Sequence, residues 1–347
     1  MTLQNHPGDR EFPVAWRWRF RKLRADAIQP REAKIWRGVK ISAAAAAFVT
    51  VLVLKLLALP SSTFLVVIVA AMWAYWIVDL IEDATVAGQP LREQRRYIDI
   101  TGHRALSGRQ QQLLALSAQD DFARGLWNSS LEYRPAAVAV SGWKPGDEAP
   151  KGLTLLRPIE PEALRMGLLD HETGRLTAFD ERLGSQLADE SVSWQLLGTL
   201  EGPGRAEAAA RLARILSTSP DHVVDVASSE PGRPPKLAWA LDVQRAVDLA
   251  RVYYMAGVLT EEEAWDRIED VARIATGLFS SWDEYWDNLR IGVAFASNDL
   301  ATVREFDALR EKFKTSSWPA ASVPFPQPTR AGLPPSVQAM RPPSPER

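Results

Sequence analysis

The sequence predicts a mainly α protein, in which an N-terminal two-helix transmembrane hairpin is followed by a cytoplasmic α-helical domain with minor β content. Two apolar runs of about 20 residues each stand almost back to back, at 39–59 and 62–81. A basic segment lies directly before them. In the last third, apolar residues recur at helical spacing between capping signals. The length of 347 residues allows one large domain or two modest ones. There is no cysteine, which excludes disulfides, thiolate nucleophiles and Cys-ligated metal centres.

Residues 1–38 form the basic juxtamembrane segment. Between 17 and 40 there are nine Lys/Arg against two acidic residues, Asp26 and Glu32, although the whole chain carries a net charge of only −2. The remainder is therefore acidic. Trp16, Arg17, Trp18, Arg19, Arg21 and Lys22 interleave aromatic and basic side chains. That suits a membrane surface, where each Lys or Arg gains roughly 1 kcal/mol from anionic headgroups. Trp stacking and Arg–phosphate pairing also suit single-stranded nucleic acid. The position immediately before a span decides for lipid, so nucleic acid is not the expected partner.

The hairpin occupies 39–82. At ~1.5 Å rise per residue, each run matches the ~30 Å hydrocarbon layer. Pro60 cannot continue a helix, and Ser61 or Ser62 can cap the next one. So short a turn makes the helices antiparallel and brings both ends out on one side. The basic flank before the first span, against an uncharged turn, puts both termini and the soluble domain in the cytoplasm. Lys55 is near enough to Pro60 to snorkel to the outer headgroups. Asp79, Glu82 and Asp83 mark the inner interface, toward which Trp73, Tyr75 and Trp76 lead. A cleavable signal peptide is disfavoured, because the first run starts near residue 39 and a second follows at once. Two rivals stay open: a buried hairpin of a soluble protein, and a hairpin dipping into one leaflet. The second is kept because the uncharged core of each span is only about 14–15 residues.

Residues 103–220 read as a mixed, mainly helical region. A helix is expected over 107–127, with Leu113, Leu114, Ala115, Leu116, Phe122 and Leu126 giving its apolar side. A Pro- and Gly-rich break follows at 134–151, then β-type material at 153–157 and a hairpin-like stretch over 166–179 turning at 171–174. Helical patterning returns at 191–200 and 206–216. Residues 221–236 read as the clearest linker.

Residues 236–327 form the best-defined helical domain. Its first helix, from Leu237, stops at Gly257. Thr260 and Glu263 make a capping box for a second, which ends at Gly277. Ser281 starts a third that runs to about Ala296, and Asn298 or Asp299 caps a fourth that reaches Phe313. From Pro319 onward the chain is rich in Pro and Ser and is expected to be extended and largely disordered, with 328–347 as the tail proper.

Within that domain the residues Ala238-Trp239-Ala240-Leu241-Asp242-Val-Gln-Arg245 are followed by Arg251, Ala256-Gly257 and an acidic helix start from Glu261 to Trp265. Phe279-Ser-Ser281-Trp282, Gly292 and Ser316-Ser317-Trp318-Pro319 with Pro324 complete the set. The pattern resembles the bacterial family catalogued as domain of unknown function 1266, over 236–327 and weakly at most over 103–220. Two steps depart from the family pattern. Arg290-Ile-Gly292 stands where the family has Gly-Arg before an aromatic, and Trp239 is separated from Asp242. The resemblance implies a fold and a bacterial origin; joined to the hairpin and its basic flank, that origin makes a bacterial inner (cytoplasmic) membrane the expected location. The resemblance implies no mechanism.

The four histidines, His6, His103, His171 and His222, form no HExxH pair, so neither a zinc site nor a cofactor is expected. Phosphate-loop and nucleophile-elbow motifs are absent; Gly202-Pro-Gly204-Arg205 reads as a turn. Asp242, Asp248, Glu261, Glu262, Glu263, Asp266, Glu269, Asp270, Asp283, Glu284 and Asp287 supply many carboxylates, most of them expected on solvated helix faces. The candidate polar cluster is Asp242, Arg245, Arg251 and Trp282. Its three charged members are expected to hold the Trp282 turn and the Trp318 segment by charge-assisted bonds. A structural role ranks above a catalytic one, and no catalytic residue is assigned.

The function expected is a membrane-anchored cytoplasmic protein-binding module, in concrete form an immunity or adaptor protein. Its partners are membrane lipid, through 39–82, and another protein. The rivals are an enzyme of unrecognised class using carboxylate and Arg residues of the C-terminal domain, and a membrane-active toxin-like protein working through the hairpin.

Overall fold

The computed structural model describes residues 89–140, 158–170, 172–228, 234–316 and 318–329, with isolated positions between 39 and 81 and at 153, 156, 332, 333 and 337. The basic segment with Trp16, Arg17, Trp18, Arg19, Arg21 and Lys22, and most of the expected hairpin, lie outside the described residues. Of the hairpin stretch, residues 72–78 form the longest described piece, and it is helical. Among the described residues no helix is long and apolar enough to cross a membrane.

The fold is mainly helical. Helix α1 (Gln89–Thr101) turns Glu93, Gln94 and Tyr97 inward. Tyr97, Trp127, Val140, Leu153 and Leu156 form a small apolar cluster of their own. Next come α2 (Gly108–Leu114) and α3 (Ala118–Arg124). Ser107 and Gln110 cap α2 reciprocally. The single helix expected over 107–127 is thus two helices with a break at 115–117. The Leu114 carbonyl accepts from the Ser117 amide and from Asn128 Nδ2 at 3.1 and 3.0 Å. These bonds replace the ladder bond that a continuous helix would make.

After a parallel bridge between Ala136 and Ile159 comes α4 (Pro161–Gly167), with proline at its start. The hairpin-like stretch over 166–179 is a single antiparallel bridge, Leu169 to Leu176. It closes around Asp170, whose Oδ1 accepts from the Glu172 and Thr173 amides. Among the described residues, β structure is confined to these two bridges. Helices α5 (Phe179–Leu187), α6 (Val192–Glu201) and α7 (Arg205–Leu216) follow. The expected linker at 221–236 begins as a further helix, α8 (Pro220–Asp225). Ser219 caps it by accepting from the His222 amide, Pro220 is pre-set for its first turn, and Val223 is buried beneath it.

Helix α9 (Trp239–Met255) is the axis of the fold. Thirteen of its 17 residues are buried, among them Trp239, Val243, Val247 and Tyr253, as expected of a helix apolar on every side. Burying each such large side chain contributes roughly 1.5–3 kcal/mol. Gly257, just past its end, lies at φ +68°, a left-handed conformation that stops the helix. Around α9 pack α4, α5, α6, α10 (Glu261–Leu278) and α11 (Trp282–Ser297). Helix α12 (Leu300–Lys314) lies against α11, α7 and α3, and α2 lies against α10. At the α9–α11 crossing, a Cβ on Gly292 would stand 2.8 Å from Leu241 Cβ, so only glycine lets the two backbones approach this closely. One continuous hydrophobic cluster runs from Leu113 to Val337 and draws on both the 103–220 and the 236–327 stretches.

The C-terminal segment departs from its composition. Over 318–329 the expected disorder is replaced by a 3₁₀ turn (Pro319–Ser322) and a segment with Phe325 and Pro326 buried, while most of the expected tail at 328–347 lies outside the described residues. Leu333 packs against Gly277, and Val337 is fully buried. Aromatic anchors supply enough apolar area to hold a proline-rich strand that has no ladder of its own.

Candidate functional site

Asp242 sits one turn into α9 and is fully buried. Its Oδ1 accepts from the Val192 amide at 2.8 Å, and its Oδ2 from the Ser191 hydroxyl and the Ser193 amide at 2.8 and 3.0 Å. Burial pushes the carboxyl up, and these donors oppose the rise. The carboxylate lies at the N-terminus of α6, where the helix dipole favours negative charge. Nearby, Ser193 Oγ accepts from the Ala238 amide at 3.2 Å. Asn288 of α11 donates to the Lys236 and Leu237 carbonyls and accepts from the Ala240 amide. Leu237 has φ +39°, so this clamp holds a strained entry into α9.

Arg251 lies further along the same helix, also fully buried. It donates to Asp121 Oδ2 at 2.6 Å, to the Leu131 carbonyl at 3.0 Å and to the Trp127 carbonyl, and stands 3.8 Å from Asp248 Oδ1. Its guanidinium carbon is 5.7 Å from the centre of the Tyr133 ring. Asp121 Oδ2 accepts in addition from Asn128 and Ser117. Arg124 reaches Asp120 and Asp248. Three carboxylates therefore face two guanidinium groups. Burial, with the charge of Asp121 second, pushes the Asp248 carboxyl up to about 8. Burial also raises Asp121, against the pull of Arg251 and Arg124. One proton held by the Asp121–Asp248 pair brings the cluster to neutrality.

Beyond Leu131, the chain places Glu132 beside His103, with Nε2 to Oε1 at 3.0 Å. The Tyr254 hydroxyl stands 3.4 Å from the same oxygen. The hydrogen bond from His103 to Glu132 lifts the imidazole above its ordinary value. Burial raises Glu132, but His103 outweighs it and the carboxyl titrates below the usual range. Burial and the Glu132 charge hold the Tyr97 and Tyr254 hydroxyls protonated. With its side chain 32% exposed, His103 is the solvent-facing end of this pair.

Of the four residues expected to cluster, Asp242, Arg245 and Arg251 share α9 but reach different neighbours. Asp242 holds α6, and Arg251 holds 117–131; neither holds the Trp282 turn or the Trp318 segment. About two and a half helical turns separate Asp242 from Arg251, so they face different sides of α9, which explains the correction. Arg245 is exposed and makes no ion pair among the described residues. Trp282 opens α11, stacks on Trp286 at 5.5 Å and donates to the Val323 carbonyl at 2.7 Å. Sequence reasoning missed His103, Asp121, Glu132 and Tyr254, and it placed Asp248 on a solvated face. For Asp248 a signal existed, since Val247, Leu249, Ala250 and Val252 surround it in sequence. Among the described residues no three His, Asp or Glu side chains are grouped to hold a metal ion.

No curated protein and no solved structure matches the chain. Residues 162–319, from α4 to the 3₁₀ turn, match the family model described as Protein of unknown function (DUF1266). Arg251 and Tyr254 lie inside that stretch, while Asp121, Glu132 and His103 precede it. The polar seam is thus where the preceding layer docks on the matched domain. Over residues 162–319 the chain is therefore similar to the DUF1266 family.

Proposed function

We propose that the chain is a membrane-anchored protein-binding module. In this reading the hairpin at 39–82 sits in a bacterial inner membrane, both termini face the cytoplasm, and the helical domain docks another protein there, as an immunity or adaptor protein would. The observation that carries the binding reading is the internal commitment of the family-pattern charges. Asp242 and Arg251 are fully buried, and their hydrogen bonds go to other elements of the fold. They are placed to define a rigid surface and have no face open to a substrate.

The anchor rests on separate support. In the helical stretch 72–78, Met72, Trp73, Tyr75, Trp76 and Ile77 are 48–67% exposed. A helix with this many large apolar side chains exposed suits a lipid environment. The test is fractionation of tagged full-length protein, beside a Trp73→Glu/Trp76→Glu variant, followed by affinity purification from gently solubilised membranes. The expected result is a carbonate-resistant membrane protein that retains one specific partner, with membrane retention weakened in the variant. Recovery of the wild type in the soluble fraction sinks the anchor; a clean preparation without a bound protein sinks the binding role.

A further inference from the structure

After α12 the chain turns back across α11, α10 and α2, and its main chain is gripped by side chains. Trp282 Nε1 donates to the Val323 carbonyl at 2.7 Å, and Arg109 Nη1 to the Gln327 carbonyl at 2.8 Å. Arg273 donates to the Gly332 carbonyl through Nε and Nη2, at 3.2 and 3.0 Å. Between the first two grips Phe325 enters an aromatic corner, edge-on to Trp282 at 5.0 Å and 6.2 Å from Tyr285. Arg109 and Glu269, themselves an ion pair, also meet the Thr329 hydroxyl. Among the described residues the backbone of 324–329 makes no hydrogen bond to another backbone group.

These are the features of peptide recognition. Proline stands at 324, 326 and 328, which favours a pre-extended backbone with few donors of its own. Side-chain donors read carbonyl positions that any sequence would present, and one aromatic residue supplies the anchor. Pro324, Gln327, Pro328 and Thr329 remain exposed, so only Phe325 and Pro326 are deeply engaged in this stretch. The segment lies between α12 and the buried Val337, and its departure breaks none of α1–α12.

We propose that the groove formed by Arg109, Glu269, Arg273, Trp282 and Tyr285 is a peptide-binding site. It takes from a partner protein an extended, proline-containing segment with an aromatic anchor, and residues 323–329, with Gly332 held by Arg273, occupy it in cis until displaced. The proposal rests on the protein-binding reading and names the chemistry of the ligand. A tethered segment acts at an effective concentration on the order of mM, so a ligand in trans sees only the small open fraction. Weakening the cis segment therefore strengthens binding in trans.

The experiment uses full-length protein in detergent and a fluorescent peptide with the sequence of residues 320–334, followed by anisotropy. Phe325→Ala is expected to bind the peptide at least ten-fold more tightly than wild type. A peptide carrying alanine in place of its phenylalanine is expected to bind neither. Adding Trp282→Phe, which keeps the ring but removes the donor to the Val323 carbonyl, is expected to reduce the gained binding several-fold. If Phe325→Ala does not fold, Thr329→Ala, which removes a contact of the cis segment and leaves the groove intact, is read in the same way. A folded variant that takes up no peptide, or takes the phenylalanine-free peptide equally well, overturns the proposal. A wild-type dimer dissolved by the peptide overturns the partner assignment and makes a second copy of the chain the occupant. A protein that co-purifies from membranes while the peptide fails to bind removes the groove and leaves the protein-binding reading standing.

Discussion

Arg251→Met tests the polar seam most sharply, because it keeps the unbranched apolar stem of the side chain while removing its charged head. The wild-type guanidinium is fully buried and bonds Asp121 together with two backbone carbonyls, those of Trp127 and Leu131. Its loss leaves a buried carboxylate and two buried acceptors without that donor. Breaking one side of a buried ion pair costs about 3–5 kcal/mol. Each orphaned carbonyl adds roughly 1–3 kcal/mol, and proton uptake by Asp121 offsets part of the sum. A net loss of about 3–5 kcal/mol lowers the melting temperature by roughly 6–20 °C at ~2–4 °C per kcal/mol for a domain of this size. Arg245→Ala, on the exposed side of the same helix, stays within about 0.5 kcal/mol of wild type. Thermal unfolding of full-length protein by circular dichroism reads both variants. If Arg251→Met melts with wild type yet loses its partner, Arg251 is a functional residue and the structural assignment is wrong.

The pH dependence of stability has a definite sign. Asp248 has a folded value of about 8, above its ordinary 3.8, so between those limits the unfolded chain gives up a proton that the fold keeps. His103 acts in the same direction, since its raised value is lost as a stabilising contribution at alkaline pH. Denaturant midpoints are therefore expected to fall from pH 5 to pH 9, and Asp248→Asn to flatten the slope; midpoints that climb with pH contradict the seam. Asp242→Ala deprives three donors at the start of α6 of their acceptor and is expected to cost about 2–4 kcal/mol in a denaturant titration. Gly292→Val drives a side chain into Leu241 at the α9–α11 crossing, with an expected loss of about 1–3 kcal/mol, visible as a lowered melting temperature.

Much of the helical domain was legible because its ends are marked by local chemistry. Ser191, Thr260, Ser281 and Asp299 each cap a helix through their own side chains, and a cap acts within three residues of sequence. The break at 115–117 was not legible. It depends on Asn128 and on the Arg251 network, whose members lie as far as 134 residues apart in sequence. The same holds for His103 and Glu132, which meet where Tyr97 of α1 packs on Trp127 at the start of the 127–133 loop. The tail misled through composition. Proline excludes helix and ladder, but it does not prevent an extended strand from being held by Phe325, Trp282 and Arg109. Within the candidate cluster, Asp242 and Arg251 are buried and bonded to neighbours other than those expected from the sequence, since a helix repeat fixes direction only along its own element.

The decisive measurement is affinity purification of tagged full-length protein from gently solubilised membranes, with every co-purifying protein identified and its stoichiometry measured. A membrane-anchored binding module yields one protein in fixed ratio to the chain, recovered from the membrane fraction and retained through washing. Recovery from the soluble fraction with nothing bound contradicts both the anchor and the binding role.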